Sequence, residues 1–376
     1  MPRINRRRGS GEGTIVKRSD GRWSAAVSVG NGRRKWFYGG TRGEVSRKLT
    51  VATKSVQDGI ALPPEQQTLN DFSAQWLEFV RSKLKSSTHQ RYTHDLRRHL
   101  LPTLGQLKLV KIMPQDIQQL YATKEREGLS STSVHHMHVV LQRVLGQALK
   151  WGLVSRNTAT LTDPPKPTRR EMQILDAKQV RSLLSTTTDD RLGALYHLAS
   201  FTGVRQGELF ALRWSDIDLD QGIIHIRRTL RWGNRDYEFD SPKTAKSNRS
   251  VAISSTTVTA LRKHRAMQSS EAISLGPSWS QSNLVFTNTI GGPLRPQNFL
   301  RRDFKPALEQ AGLPPITFHQ LRHTAASLAL AQGVPVVNVS AMLGHAGPHI
   351  TLKIYAHILP GSERQTAEAM EVAIYG

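Results

Sequence analysis

The spacing of apolar residues changes near residue 60, and this change constrains the fold more than any other feature of the sequence. Before that point, the pairs Asp20-Gly21 and Asn31-Gly32 flank an alternating run at residues 23–29. Such pairs tolerate the positive φ angles that two-residue hairpin turns need, and alternation places every second side chain on one face of a strand. The pattern predicts a three-stranded antiparallel sheet, with outer strands at about residues 13–17 and 34–38.

A helix is predicted to follow this sheet. Thr41 and Glu44 have capping-box spacing, so the helix should start at about Arg42 and run towards Val56. Because so small a sheet buries little surface alone, three aromatic residues are expected to form part of its core against the helix. They are Trp23, Trp36 and Phe37.

From about residue 69 to residue 151 the apolar residues recur at helical spacing, as in Leu69, Phe72 and Trp76. This pattern predicts four helices, at about residues 69–84, 88–101, 115–127 and 131–150. The next stretch, residues 157–173, is rich in proline and arginine, a composition typical of an extended basic linker.

The C-terminal half mixes helix and strand signals, so we predict a multidomain α+β protein. Asp176 is placed to cap a helix through Leu184, and strands are predicted at about residues 223–228, 237–241 and 251–253, forming one small β-sheet. A chain of 376 residues should hold two or three domains. The predicted segments are 1–60 (small three-stranded sheet plus helix), 61–156 (helical), 157–173 (linker), 174–358 (mostly α with a small sheet) and 359–376 (tail).

The chain carries a formal net charge of +23 and has an isoelectric point near 10.7. Fourteen basic and four acidic residues in positions 1–60 give +10 of that charge. Such a balance indicates a polyanionic partner, with nucleic acid as the first candidate and an anionic membrane surface as the weaker one.

The chain has no cysteine, which excludes disulfides, zinc thiolate sites and a cysteine nucleophile. No apolar run approaches membrane-spanning length, and no signal-peptide core follows the basic N-terminus, so a soluble, non-secreted protein is expected. His135, His136 and His138 lack nearby carboxylate or cysteine ligands with sensible spacing, and we interpret them as structural rather than metal-binding.

Six polar residues in the second half of the chain form a set suited to breaking a phosphodiester bond. They are Arg205, Lys243, His319, Arg322, His345 and Tyr355. Direct attack on such a bond needs an in-line oxygen nucleophile, neutralisation of charge on the non-bridging oxygens and a proton for the leaving oxygen. The set contains groups for all three tasks, so no metal is required.

The two arginines offer planar forks that can hold a phosphate through paired hydrogen bonds. The imidazole of His319 can help to deprotonate Tyr355, and His345 is expected to hydrogen-bond the phosphate. An isolated arginine would more simply be explained by a structural ion pair, here with Glu208 or Asp216. The ordered co-occurrence of the whole set favours catalysis.

Three motifs carry these residues. They are Thr202-Gly203-Val204-Arg205-Gln206-Gly207-Glu208-Leu209, His319-Gln320-Leu321-Arg322-His323-Thr324, and Leu343-Gly344-His345 followed by Ile354-Tyr355-Ala356-His357. With them the chain resembles the tyrosine recombinases, and more narrowly the integrases of phages and integrative elements. One departure is Gln320, where many members carry an aspartate. His323 and His357 adjoin the motifs, and we expect supporting roles for them.

The resemblance implies that Tyr355 attacks the DNA backbone, giving a 3′-phosphotyrosine and a free 5′-hydroxyl without ATP, metal or other cofactor. Residues 240–246 resemble the lysine hairpin of the family, with Lys243 preferred over Lys246 as the proton donor for the leaving oxygen. The product bond retains the energy of the bond that is cut, so strand rejoining needs no other energy source.

The resemblance also implies DNA contacts for the first two domains. Residues 1–60 would be an arm-type DNA-binding domain and residues 61–156 a core-binding domain. The candidate DNA-contacting residues are Arg22, Arg33, Arg34 and Lys35 in the first domain and Lys83, Arg91 and Arg97 in the second. A merely solvated basic surface is the alternative in both.

The expected function is that of a site-specific DNA recombinase that integrates or excises a mobile element through a Holliday junction. Its expected partners are core and arm attachment sites, three further copies of the chain, an excisionase or directionality factor and a host DNA-bending protein, in the cytoplasm of a bacterial cell at the nucleoid. The tail is expected to contact its own domain or another protomer. The competing interpretations are a chromosome-dimer resolvase, a type IB topoisomerase and a non-catalytic DNA-binding protein.

Overall fold

The computed structural model describes residues 13–29, 34–57, 66–168, 173–233, 236–240, 248–356 and 363–375. The chain divides into two compact units, residues 1–170 and 171–376. None of the helices within these described ranges is long and apolar enough to cross a membrane.

The N-terminal module contains the predicted three-stranded antiparallel sheet and its helix. The elements are β1 (Thr14–Lys17), β2 (Trp23–Ser28), β3 (Arg34–Gly39) and α1 (Arg42–Gln57), with strand order β1-β2-β3. The Asp20-Gly21 turn places Gly21 at a φ of 81°, the left-handed region that glycine occupies without strain. The other predicted turn, Asn31-Gly32, lies outside the described residues.

The sheet has one face against α1 and one open face. Ala25, Val27 and Phe37 are buried against the helix, whereas Trp36 is 48% exposed. The prediction that Trp36 belongs to the core is therefore wrong, while Phe37 and the partly buried Trp23 do pack there. Adjacent residues of a strand point to opposite faces, so only one of the pair Trp36 and Phe37 can reach the helix.

The helical part of the first unit has the predicted helices with one interruption. The elements are α2 (Leu69–Arg81), α3 (Ser86–Asp95), a π-helical turn (Leu96–Leu100), α4 (Leu101–Leu104), α5 (Pro114–Arg126) and α6 (Ser131–Lys150). The interruption lies just before Pro102, which lacks the amide hydrogen that a regular helix needs. His138 is buried in this part, where its Nδ1 lies 2.8 Å from the Tyr121 hydroxyl.

The second unit is mostly helical around a small β region. Its helices are α7 (Ala177–Thr186), α8 (Gly193–Thr202), α9 (Gln206–Phe210), α10 (Ser255–Leu275), α11 (Pro296–Phe299), α12 (Lys305–Gln310), α13 (Phe318–Ala331), α14 (Val336–Leu343), α15 (Pro348–Tyr355) and α16 (Glu363–Tyr375). Asp176 caps α7 as predicted, its side chain accepting a hydrogen bond from the amide of Gln179 at 2.8 Å. A second π-helical turn, Leu300–Phe304, again precedes a proline, Pro306.

The β region forms two sheets rather than the one predicted. The strands are β4 (Ile217–Asp218), β5 (Ile223–Ile226), β6 (Thr229–Trp232), β7 (Tyr237–Asp240) and β8 (Arg249–Ala252); β4, β5 and β8 pair in one sheet, and β6 and β7 form a separate hairpin. The predicted strand at 223–228 ends at Ile226, and the next two residues, Arg227 and Arg228, both form ion pairs with the buried Asp216. Residues 241–247, between β7 and β8, lie outside the described part of the chain.

Candidate active site

The local structure around each motif brings five of the six predicted site residues into one region of the second unit. Arg205 is the N-cap of α9, and His319 and Arg322 lie on α13. His345 follows the glycine that ends α14, and Tyr355 is the last residue of α15. The sixth, Lys243, lies outside the described residues.

Arg322 is a deeply buried cation of the site, with 4% of its surface exposed. Its Nη1 donates a 2.8 Å hydrogen bond to the carbonyl of Gly203, but within the described ranges its buried Nη2 has no hydrogen-bond partner. Burial, followed by the nearby charge of Arg205, lowers the pKa of Arg322 to about 9. An unpaired donor on a buried cation is costly, and an anion bound at this nitrogen would remove that cost.

Arg205 is held from two sides while about 39% of its side chain remains exposed. Its Nη1 lies 2.9 Å from Oε1 of Glu208, and its Nη2 donates to the carbonyl of Gly344 at 3.4 Å. The two glycines that accept from the arginines, Gly203 and Gly344, have φ of 59° and 65°. These left-handed turns allow each carbonyl to face an arginine on the other side of the site.

Glu208 is the buried carboxylate that organises this region. Its Oε2 lies 2.9 Å from Nη2 of Arg249, a residue of β8, and its Oε1 binds Arg205. Burial alone would raise the pKa of Glu208, but the hydrogen bond and charge of Arg249, together with the charge of Arg205, hold that pKa below its ordinary value. Glu208 therefore stays ionised and fixes two guanidinium groups beside Arg322.

Tyr355 is 1% exposed and packs among Ala326, Leu330, Val339 and Leu343. Burial raises its pKa to about 12, although the charge of Arg322 acts in the opposite direction. The phenol is therefore protonated at neutral pH, and it needs a proton acceptor before it can act as a nucleophile.

The contact with the Tyr355 hydroxyl is made by His323, whose Nδ1 lies 2.6 Å from it. His319, the residue predicted to assist Tyr355, lies one helical turn earlier, with its ring centroid 5.0 Å from that of His323. His345 is fixed by a 2.8 Å hydrogen bond between its Nδ1 and the Thr351 hydroxyl.

The three imidazoles share an electropositive, half-buried environment. Burial and then the charges of Arg322 and Arg205 lower the pKa of His319, and the same causes lower the pKa of His345 to about 4. At neutral pH these rings are uncharged and can accept protons. A bound phosphate would offset the arginine charges and raise the pKa of the rings again.

The DNA-contacting residues predicted outside this site lie on the first unit. Lys83, Arg91 and Arg97 have exposed side chains, the Lys83 ammonium lying 3.6 Å from the centroid of the Phe79 ring. Arg22, Arg34 and Lys35 lie on the N-terminal module, and Arg33 lies outside the described residues. Lys35 pairs with the buried Val27, so it lies on the side of the sheet that faces the helix, whereas Arg34 lies on the open face.

Comparisons with known proteins match both halves of the chain. The profile of the phage integrase family matches residues 173–361, and that of the phage integrase N-terminal SAM-like domain matches residues 68–124. A protein named tyrosine recombinase XerC-like from Caldanaerobacter subterraneus subsp. tengcongensis is 30% identical over 94% of this chain and 97% of its own length. The chain belongs to the phage integrase family. An integrase of Streptomyces ambofaciens is also 30% identical, over 93% of each chain.

Solved integrase structures share the fold of this phage integrase family member. The Tn1549 transposon integrase in complex with transposon right end DNA is 18% identical, with a TM-score of 0.68 over 82% of this chain and 99% of that chain. A lambda integrase tetramer bound to a Holliday junction is 18% identical, with a TM-score of 0.60 over 95% and 99% of the two chains. These matches confirm the α+β fold class.

As a member of the phage integrase family, the chain is a tyrosine recombinase, an enzyme of site-specific DNA recombination. Sequence reasoning missed Arg249 and gave His323 only a supporting role, whereas the structure places His323 in contact with Tyr355. His323 adjoins Arg322, which was the available signal for it, whereas no local pattern marks Arg249. Glu208 was foreseen as a partner of Arg205 but not as the carboxylate that joins two arginines.

Proposed function

We propose that this recombinase is an integrase that cuts and rejoins DNA through a covalent bond between Tyr355 and a 3′-phosphate, thereby integrating or excising a mobile element. The observation that carries the proposal is the buried Nη2 of Arg322, which has no hydrogen-bond partner in the described part of the chain and lies in the same cluster as Tyr355 and Arg205. A phosphodiester supplies both the negative charge and the acceptor oxygens that such a cluster needs.

Electrostatics support a phosphate at this position. Glu208 binds Arg205 and Arg249 through its two carboxylate oxygens, whereas Nη2 of Arg322 has no hydrogen-bond partner among the described residues and can donate to a ligand. Arg205, being partly exposed, can present its remaining donors to the same ligand. Two guanidinium forks on one phosphate hold it in line and stabilise the charge that grows on its non-bridging oxygens during attack.

In the proposed reaction, the bond between the Tyr355 Oη and phosphorus forms while the bond from phosphorus to the 5′-oxygen breaks. His319 and His345 contact the phosphate, and Lys243 gives a proton to the departing 5′-oxygen. The reverse step restores the DNA strand with a new 5′-hydroxyl, so that bond number is conserved and neither ATP nor a metal takes part.

Each chain holds one proposed nucleophile, so four strand exchanges require four copies of the chain on two DNA sites, through a Holliday junction. The lambda integrase tetramer on a Holliday junction, which has the same fold, supports this arrangement. Helix α16 supports a contact with another protomer, because Met370, Val372 and Ile374 are exposed apolar side chains. An excisionase and a host DNA-bending protein complete the proposed set of partners.

The proposal is tested by trapping the covalent intermediate. A duplex from the native attachment region, nicked just 3′ of the cleavage site, loses a short strand on cleavage and so prevents rejoining. We expect a covalent complex in which mass spectrometry finds the nucleotide on the peptide that ends α15, attached to Tyr355. A chain that binds this DNA without forming an adduct, or that forms it through another residue, would overturn the proposal.

We propose that residues 13–57 form a second DNA-binding module, which favours an element integrase with separate arm sites over a recombinase that uses core sites alone. The open face of its sheet carries Arg34, Trp36 and Tyr38, a combination of cation and aromatic side chains that suits contacts with phosphates and base edges. A sheet of this width fits the major groove.

Arg34→Ala should weaken binding to attachment DNA that contains arm sequences by about 1–3 kcal/mol, as expected for loss of a single base or phosphate contact. Binding to DNA with the core site alone should not change, and gel-shift titrations on the two DNAs measure both. Arg47→Ala is the matched control, since Arg47 is exposed on α1, the helix that covers the other face of the sheet. Equal effects of the two substitutions would contradict a role for the open face.

A further inference from the structure

We propose that His323 is a catalytic residue that accepts the proton of Tyr355 during DNA cleavage and returns it during rejoining. This inference rests on the proposed function, in which Tyr355 is the nucleophile. It assigns the deprotonation step to the imidazole that touches the reacting oxygen, in place of the neighbouring His319.

The geometry carries the assignment. Nδ1 of His323 lies 2.6 Å from the Tyr355 hydroxyl, within the range in which a general base takes a proton directly. The ring centroids are 5.7 Å apart with an interplanar angle of 51°, so the two rings approach by their edges and share one short contact. The ring centroid of His319 lies 5.0 Å from that of His323, one turn earlier on α13.

The supporting elements fix this contact. His323 follows Arg322 directly on α13, and Tyr355 ends α15, where it packs among buried apolar side chains of α13 and α14. One turn of α13 therefore positions both Arg322, which would hold the phosphate, and His323, the proposed proton acceptor. For the phenol to donate to Nδ1, as the proposal requires, the neutral ring must carry its hydrogen on Nε2.

The charge state of His323 suits a base. Burial lowers its pKa to about 4, with further lowering from His319 and Arg322, so the ring is neutral and able to accept at neutral pH. The titratable and charged groups around it are His319 and Arg322 on α13, His345 before α15, and Tyr355 itself. A phosphate bound at Arg322 adds negative charge beside the ring, which raises the basicity of the imidazole when attack begins.

The proton balance of the step is complete. The Oη–H bond of Tyr355 breaks as its proton moves to Nδ1 of His323, Oη bonds to phosphorus, and the 5′-oxygen departs with a proton from the proposed donor Lys243. In rejoining, the 5′-hydroxyl gives its proton back to the neutral amine of the proposed donor Lys243 and attacks phosphorus, and the imidazolium of His323 returns a proton to the departing Oη.

The first experiment compares His323→Asn with the wild-type chain in single-turnover cleavage of the nicked attachment duplex. Asparagine can keep a hydrogen bond with the phenol at the position of Nδ1, but it cannot accept the proton. We expect adduct formation to slow by about 10²–10⁴-fold at neutral pH with DNA binding unchanged. A rate within about threefold of the wild type would overturn the inference, because general bases contribute far more.

A rescue experiment separates proton transfer from a structural role. Replacing Tyr355 alone by a fluorinated tyrosine, whose phenol is more acidic, should restore much of the lost rate to His323→Asn. A 5′-bridging phosphorothiolate, whose sulfur leaves without a proton, should not restore it. Failure of the first rescue, or success of the second, would overturn the assignment of His323 to the nucleophile.

If His323→Asn does not fold, the wild-type chain still decides. Its cleavage rate should fall at acid pH as His323 becomes protonated. The pH at which the rate falls should not change when Tyr355 is replaced by fluorotyrosine. If that pH shifted with the acidity of the phenol, the proposal would be overturned. The two hypotheses fail separately: an adduct in Tyr355→Phe refutes the proposed nucleophile, whereas normal cleavage by His323→Asn refutes only the base.

His225→Asn provides a matched control for loss of an imidazole. Nδ1 of His225 lies 2.9 Å from the Ser250 hydroxyl on the small sheet, an exposed contact outside the arginine cluster. We expect this variant to cleave at the wild-type rate. A slowing equal to that of His323→Asn would show that the effect is not specific to the Tyr355 contact and would overturn the inference.

Discussion

Tyr355→Phe should abolish the covalent protein–DNA adduct completely while leaving the fold and the affinity for attachment DNA unchanged. The substitution removes one oxygen from a side chain that is 1% exposed, so the ring keeps its place among Ala326, Leu330 and Leu343. The hydrogen bond with His323 is lost, at a cost of about 1 kcal/mol in stability. Denaturing gels of the nicked-duplex reaction measure the adduct, and gel shifts measure binding.

Tyr196→Phe is the matched control for this experiment. Tyr196 is also 1% exposed, lies in the same unit and packs against Phe299 and Phe304, away from the arginine cluster. It should form the adduct at the wild-type rate. If Tyr355→Phe still gave the adduct, or if both variants lost it equally, Tyr355 would not be the nucleophile.

The sequence sufficed for features that depend on neighbouring residues. The N-terminal sheet follows from hairpin pairs and alternation, and the α7 boundary follows from the cap at Asp176. The placement of His319 and Arg322 on one helix follows from their spacing of three residues. These signals are short-range, so one sequence contains them in full.

Features that depend on which face packs against a neighbour were harder to predict. Trp36 and Phe37 are adjacent aromatic residues of β3, and alternation requires one to face α1 and the other to face away. Composition does not say which. The two π-helical turns precede Pro102 and Pro306, which lack the amide hydrogen that a regular helix needs, and apolar periodicity does not show this change in backbone hydrogen bonding.

The contacts that complete the site join residues far apart in the chain. Glu208 and Arg249 are 41 positions apart, and His323 and Tyr355 are 32 positions apart. In the first contact Arg249 reaches Glu208 of α9 from β8, and in the second Tyr355 of α15 shares a buried apolar cluster with residues of α13. Motifs in the sequence therefore identified the arginines and the tyrosine, but only the tertiary structure showed that His323 is the histidine in contact with Tyr355.

The buried carboxylate gives the second large expected effect. Glu208→Ala should lower the free energy of unfolding of the full chain by about 3–5 kcal/mol, as is typical when one partner of a buried ion pair is removed. Glu208 is 4% exposed and its side chain binds Arg249, whose side chain is 7% exposed. Removing the carboxylate leaves the positive charges of Arg205, Arg249 and Arg322 to repel one another in a region of low dielectric. Urea unfolding followed by circular dichroism measures the loss.

Burial is what makes this ion pair important, and a surface pair shows the difference. Asp189 binds Lys263 at 2.6 Å but has 91% of its side chain exposed to water, so Asp189→Ala should change the free energy of unfolding far less than Glu208→Ala does. Since the pKa of Glu208 is lowered on folding, the stability that it contributes is present above the pKa of the unfolded chain and is lost as pH falls through the folded value. Glu208→Gln should therefore reduce the loss in the free energy of unfolding that the wild-type chain shows at acid pH. Asp189→Ala should largely keep that loss. Equal costs for the two alanine variants would mean that the cluster is held by its backbone contacts, such as Arg322 to the Gly203 carbonyl, rather than by the carboxylate.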